Sequence, residues 1–245
     1  CAYIFNNAAL EMCGGSGGRL LPLAQVPLQD IDLACKVVSR AMEDGHLGVQ
    51  IGNHVNDIDM DDEGLITFLQ HCAEVGAAVL VHPWDMMGQA DMKKYWLPWL
   101  VGMPAEISRA ICSIIFGGVL EKYPNLKIAF AHGGGAFPFT IGRINHGYNK
   151  RPDLCAIDND KLPSYYLKHF YVDSLVHDKH ALSFLLDKIG SEKIALGSDY
   201  PFPLGEDYPG KLIEEMDLSN SVKQRILAGT ALEWLGLNES EYIKN

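Results

Sequence analysis

Three apolar runs end in the same way. Val79-Leu80-Val81 leads into His82-Pro83, Ile128-Ala129-Phe130-Ala131 into His132-Gly133-Gly134-Gly135, and Ile194-Ala195-Leu196 into Gly197-Ser198-Asp199-Tyr200-Pro201. A strand that is apolar at consecutive positions exposes neither face to water, which is the pattern of a parallel sheet covered by helices. Leu20–Val26, Leu47–Ile51 and Phe170–Asp173 read as three further strands, with the other three placed at Ala77–His82, Ile128–His132 and Ile194–Asp199. Amphipathic segments alternate with them, and helices are expected over Ile31–Met42, Leu65–Val75, Ile107–Lys122, Ala181–Ile189 and Gln224–Leu235. Alternating strands and helices predict an α/β fold. Of the two common solutions, a doubly wound sheet carries a glycine-rich phosphate turn after its first strand. Gly14-Gly15-Ser16-Gly17-Gly18 precedes a strand and reads as a loop. The expected fold is therefore a (β/α)8 TIM barrel. Such a barrel typically takes ~250 residues, yet six units already fill these 245, so about six of eight β/α units are expected here.

Composition narrows the function. A formal charge of -11 opposes non-specific attraction to nucleic acid or anionic lipid. No uncharged apolar run approaches the ~20 residues of a membrane span, and the richest stretch, Tyr95–Ala105, holds Pro98 and Pro104. Six cysteines without a CxxC pair read as reduced thiols of a cytoplasmic protein.

All strand ends of a parallel barrel meet at one rim, where active sites are built. His82, His132 and Asp199 are therefore expected to converge. Each alone has a plainer reading, as a hydrogen-bonded strand end or a turn cap. Together, buried imidazoles and a carboxylate call for a partner, and a divalent ion of the zinc type suits that donor set. His132 reads either as a third ligand or as a general acid/base. Asp173 ends a strand on the same rim and reads as a turn cap or as a group orienting a ligand histidine. His54 is expected near the rim, and His46, His71, His146 and His169 at the surface.

Four blocks carry a resemblance. They are Val81-His82-Pro83-Trp84-Asp85-Met86, the run from Lys94 to Glu106, Ala131-His132-Gly133-Gly134-Gly135-Ala136-Phe137-Pro138, and the run from Ser198 to Gly205. The chain resembles the zinc-dependent decarboxylases of the amidohydrolase superfamily over essentially its whole length. The Tyr95-Trp96-Leu97-Pro98-Trp99 block narrows this to those acting on 2-amino-3-carboxymuconate-6-semialdehyde. The resemblance implies one amidohydrolase-like barrel domain over residues 1–245. It assigns His82 and Asp199 as ligands of Zn2+, or a similar divalent transition metal, and His132 as the catalytic histidine, with no organic cofactor. It implies a homodimer in which Arg143 reaches the neighbouring site and holds a carboxylate of a small anionic substrate, with Trp96 in the substrate pocket. Without it, Arg143 reads as a surface ion-pair residue and Trp96 as core packing. Met86 and Phe202 read as pocket lining or as core or rim packing.

The family also places a His-x-His pair on its first strand. The 245 residues contain none, so the first two β/α units are expected upstream of Cys1. The implied activity is non-oxidative decarboxylation to 2-aminomuconate semialdehyde, in tryptophan (kynurenine) catabolism. Two other readings stay open: decarboxylation of an aromatic acid, or hydrolysis, on the same scaffold, and a non-catalytic homologue acting through dimerisation.

Overall fold

The computed structural model describes residues 1–242; the last three residues of the expected domain lie outside them. In chain order the elements are α1 (Ala2–Gly14), α2 (Ile31–Asp44), β1 (Gly48–Ile51), α3 (Glu63–Glu74), β2 (Ala78–Val81), α4 (Met103–Phe116), α5 (Val119–Lys122), β3 (Ile128–Phe130), α6 (Phe137–Lys150), α7 (Pro152–Cys155), β4 (Tyr171–Asp173), α8 (Lys179–Lys188), β5 (Ile194–Ala195), α9 (Lys211–Glu214), α10 (Asn220–Gln224), α11 (Thr230–Leu235) and α12 (Glu239–Tyr242). The strands form one parallel sheet in the order β1-β2-β3-β4-β5. It is an open α/β sheet over the described residues.

Successive strand residues serve two cores, as the two-residue period of a strand requires. Val49, Ile51, Val79, Val81, Ile128, Phe130, Val172 and Ile194 face the helices. There they meet Leu65, Phe68 and Leu69 of α3 and Ile107, Ile111, Ile114 and Ile115 of α4. Each such side chain, fully buried, contributes ~1.5–3 kcal/mol. Ala78, Ala129 and Tyr171 face the other way and pack on Trp234 of α11. Its indole Nε1 donates to the Lys127 carbonyl at 3.0 Å.

The expected strand Leu20–Val26 is reduced to a single parallel bridge between Ala24 and Val49. Pro22 and Pro27 flank it and have no N–H to give a ladder. The expected helix Ile107–Lys122 breaks at Gly117-Gly118, where Gly118 takes φ +70°, and begins earlier than expected. A π-turn over Pro98–Gly102 continues directly into α4. Pro98 falls in the first turn of this run, where the missing N–H costs nothing, and Pro104 stands where the π-turn gives way to α4. The joined run Pro98–Phe116 is long and apolar enough to cross a membrane by length and composition. It contains Glu106 and Arg109 and is the central core helix on the sheet. Helix α1, absent from the sequence reading, is anchored by Asn6, whose side chain exchanges two hydrogen bonds with the Gln25 backbone. The glycine run after it forms the expected turn. All six cysteines are free thiols.

Gly48 is required by the close approach of β1 and β2. A Cβ there would overlap the Ala78 carbonyl, so Gly48→Ala should lower stability by ~1–3 kcal/mol as an overpacked site. Gly142→Ala, on α6 with nothing within 4 Å, should be neutral or stabilising by up to ~1 kcal/mol. Urea unfolding midpoints of both variants check this; equal midpoints would remove strand proximity as the reason for Gly48.

Candidate metal centre

The strands deliver their polar ends to one rim. His82 follows β2, and its N–H donates to the Ile51 carbonyl at 2.9 Å. His132 follows β3 with φ +56°, and Asp199 lies beyond β5 with φ +52°. Their ligand atoms lie within 4.8 Å of one another. His82 Nε2 is 3.1 Å from Asp199 Oδ1, and His132 Nε2 is 3.6 Å from the same oxygen, beyond hydrogen-bond length. The two imidazoles meet edge to face at 5.0 Å.

Asp173 holds His132 through the backbone. Its Oδ2 accepts the His132 N–H at 2.9 Å, and its Oδ1 accepts those of Gly133 at 2.9 Å and Leu175 at 3.0 Å. Gly197 is the space this carboxylate occupies, since a Cβ there would lie 2.7 Å from Asp173 Cβ. Asp173 thus fixes the turn that carries the histidine, and the ring is left free to act.

His132 Nε2 is buried and has no hydrogen-bond partner. An orphaned imidazole nitrogen is costly unless something occupies its lone pair. The His82 imidazole and the Asp199 carboxylate beside it are donors that suit a divalent ion, and the free Nε2 faces that position either as a further ligand or as an acid/base group. The orphan nitrogen alone is not the signal: His46 Nε2 is also buried and unpaired, but among the described residues no cluster of ligand atoms includes it. His46 corrects the sequence reading, being 2% exposed and not at the surface. Gly45 turns left-handed at the end of α2, and the His46 N–H bonds back to Ala41 O, which tucks the ring under the helix.

The remaining sequence candidates separate. Phe202 stacks on His82 with centroids 6.1 Å apart and lines a cleft of about 330 Å³ together with His82, His132, Asp173 and Asp199. An adjoining cleft of about 350 Å³ is lined by Trp99, Leu175, His177 and Leu204 and shares His132 and Asp199. Trp96 is exposed, not core, and its indole lies on that of Trp99 at 5.8 Å. Met86 is buried, against the site where a Cβ on Gly102 would fall. Arg143 is exposed on α6, outside both clefts of this chain. His54 sits in the turn after β1, its Nε2 3.0 Å from the Asp85 carbonyl. The sequence reading missed Asn53 and Glu106, both buried behind this rim. A glutamate inside the apolar run 103–116 was the available signal.

Burial holds the His132 imidazole below the usual histidine range; Asp173 and Asp199 oppose this and His82 adds to it. An unfolded histidine takes up its proton near pH ~6.5, and the folded one does so at lower pH. The neutral ring thus leaves full stability above ~6.5, and stability is lost as pH falls through that value toward the folded pKa. Urea midpoints of metal-free protein should decline from about pH 7.5 to about pH 5, and His132→Asn should flatten part of the decline. A slope unchanged by the substitution would remove the buried neutral His132 as its source.

A family model described as amidohydrolase matches residues 2–237. The chain is 49% identical over 244 residues to 2-amino-3-carboxymuconate-6-semialdehyde decarboxylase of Dictyostelium discoideum, covering 99% of this chain and 68% of that protein. The decarboxylase of the same name from Caenorhabditis elegans is 34% identical over 290 residues, covering 98% and 72%. Among solved structures, dihydroxybenzoic acid decarboxylase from Polaromonas sp. JS666, with bound manganese and the inhibitor 2-nitroresorcinol, superposes with a TM-score of 0.84 at 21% identity. That match covers 99% of this chain and 77% of the other, and it shows a shared fold. On the match over residues 2–237 and the 49% identity along almost all of its length, the chain belongs to the amidohydrolase family, among its decarboxylases.

Proposed function

We propose that the protein removes the carboxylate of 2-amino-3-carboxymuconate-6-semialdehyde, releasing carbon dioxide and 2-aminomuconate semialdehyde, with Zn2+ or a similar divalent ion held by His82 and Asp199. The observation that carries the metal half is the meeting of His82 Nε2 and Asp199 Oδ1, 3.1 Å apart, in a cluster of ligand atoms that His132 completes. The substrate half rests on the 49% identity to a decarboxylase of that name.

A divalent ion at this position supplies positive charge that polarises substrate oxygens. The chain's own residues do the rest. His132, neutral near pH 7 because it is buried, can take up or release a proton at Nε2. Asp173 keeps that nitrogen in place by holding the backbone on which the ring stands. Phe202 lines one cleft and Leu204 the other, each beside His132 and Asp199. In the reaction the C–C bond to the carboxylate breaks, its electron pair stays on the conjugated carbon chain, and that carbon gains one proton. The substrate carboxylates need a cation in a protein of charge -11. Arg143, exposed on α6, is proposed to meet them across a homodimer interface, where its planar guanidinium matches a carboxylate in two-point contact.

In the holoenzyme, His82→Ala and Asp199→Ala should lose metal and turnover together, whereas His132→Ala should keep most of its metal and lose turnover. Elemental analysis beside the decarboxylation rate checks this. Stoichiometric metal in the Asp199 variant would end its role as a ligand. Turnover of 2,6-dihydroxybenzoate in place of the muconate semialdehyde would replace the substrate.

Mixing Arg143→Ala with His132→Ala protein should restore activity, because the mixed dimer has one site with both groups intact. No gain over either parent, with subunit exchange demonstrated by tagged copies, would place Arg143 outside the site.

A further inference from the structure

Glu106 is 1% exposed, the one acidic residue among the described residues that is buried as a whole, backbone and side chain together. Enclosing a charge is costly, and an apolar residue of similar size is often the more stable choice. The hydrogen bonds of this carboxylate converge on the segment after His82. Its Oε1 accepts the Met87 N–H at 2.8 Å. Its Oε2 accepts Asn53 Nδ2 at 2.5 Å, and Asn53 Oδ1 accepts the Trp84 N–H at 2.7 Å. Arg109 Nη1 stands 3.6 Å from Oε1, with its other end on Asp59.

The sheet register explains what the pair does. Ile51 pairs with Val81, and the Ile51 carbonyl accepts the His82 N–H. One step on, Pro83 has no N–H and the backbone ladder ends. The Asn53 amide takes over there and captures the next N–H, that of Trp84. His82 is therefore bracketed, by β1 on one side and by Asn53 on the other. Glu106 fixes the orientation of Asn53, because only an acceptor facing Nδ2 turns Oδ1 toward Trp84.

From this we infer that the Asn53–Glu106 pair is a positioning device for His82, setting the direction of its ring toward Asp199. The inference rests on the metal reading above only for its second readout.

The hydrogen-bond polarity gives a test. Glu106→Gln sets an amide NH2 against the NH2 of Asn53. Asn53→Asp sets two carboxylates face to face. The double variant Asn53→Asp/Glu106→Gln restores every bond in reverse: residue 53 accepts from Trp84 and from the new amide, and residue 106 still accepts from Met87. The first readout is the His82 ring resonance in metal-free protein, assigned by its loss in His82→Asn. The second is Zn2+ affinity by chelator competition, beside thermal unfolding. Each single variant should shift the His82 resonance and weaken Zn2+ by roughly tenfold or more. The double variant should return both, with affinity within about twofold of the parent. Singles that lower the melting temperature while leaving ring and affinity unchanged would overturn the proposal, as would a double variant no better than the worse single. Should the singles not fold, the double variant decides alone, since a shifted His82 resonance in a folded double overturns it. A parent protein that takes up no Zn2+ would sink the metal reading, while the ring resonance still settles the positioning.

Discussion

Each strand of the sheet hydrogen-bonds in parallel with the next, Ile51 opposite Val81, Val81 opposite Phe130, Phe130 opposite Val172 and Val172 opposite Ile194. Parallel pairing forces every carboxyl end to one side. His82, His132 and Asp199 come from segments that follow three different strands, and 117 residues separate the first from the last. Local structure cannot bring them together; the shared direction of the strands does. The side chains beneath them serve the same end. The core of Val81, Phe130 and Val172 against α3 and α4 keeps the strand ends from sliding, and a slide of one residue would turn each histidine to the opposite face.

That convergence was legible because it depends on coarse features. Apolar runs of four or five residues announce buried strands, and a polar residue at the end of each run announces the rim. What stayed illegible depends on particular backbone angles and on prolines. Apart from the resemblance Trp96 reads as core packing, and it is exposed with φ +59°; no pattern of apolar residues encodes a left-handed tryptophan. Leu20–Val26 has the composition of a strand, but its prolines leave a single bridge. Pro98 and Pro104 punctuate the apolar stretch Tyr95–Ala105 in the sequence, yet the helical run continues from the π-turn that Pro98 opens into α4. Asn53 and Glu106 belong to no recognisable spacing, because they lie 53 residues apart and meet only once β1 and α4 are packed.

Backbone strain falls where the site is. Among the described residues, seven that are not glycine take positive φ: Asn56, Asp85, Tyr95, Trp96, His132, His177 and Asp199. All seven lie in segments that follow a strand. Such conformations cost ~1–3 kcal/mol each and persist where surrounding contacts dictate them. Those contacts are visible for two of them. Asp173 accepts the His132 N–H, and the Asp85 carbonyl meets His54 while its neighbours Trp84 and Met87 are held by Asn53 and Glu106. The elements away from the rim tell a different story, since their positive φ angles fall on glycines such as Gly45, Gly118 and Gly236, where the conformation costs little.

The opposite end of the sheet shows the same residue chemistry used for stability. Lys193 lies 3.9 Å from the Tyr171 ring centroid and 3.7 Å from Glu233. The Tyr171 hydroxyl donates to Glu233 at 2.9 Å, and Arg225 closes the group on the same carboxylate. Burial pushes the Lys193 ammonium below and the Tyr171 phenol above their ordinary ranges, although the Glu233 carboxylate itself is exposed. This cluster differs from the rim in being paired: one carboxylate answers two cations and a hydroxyl. At the rim, the Asp199 carboxylate stands beside two imidazoles, and one of them keeps a buried nitrogen with no partner. Burial and perturbed acidity are common to both ends and do not distinguish function from support. The kind of groups brought together does: around Glu233 one carboxylate faces two cations and a hydroxyl, whereas at the rim two imidazoles and a carboxylate bring three metal-ligating atoms within 4.8 Å of one another.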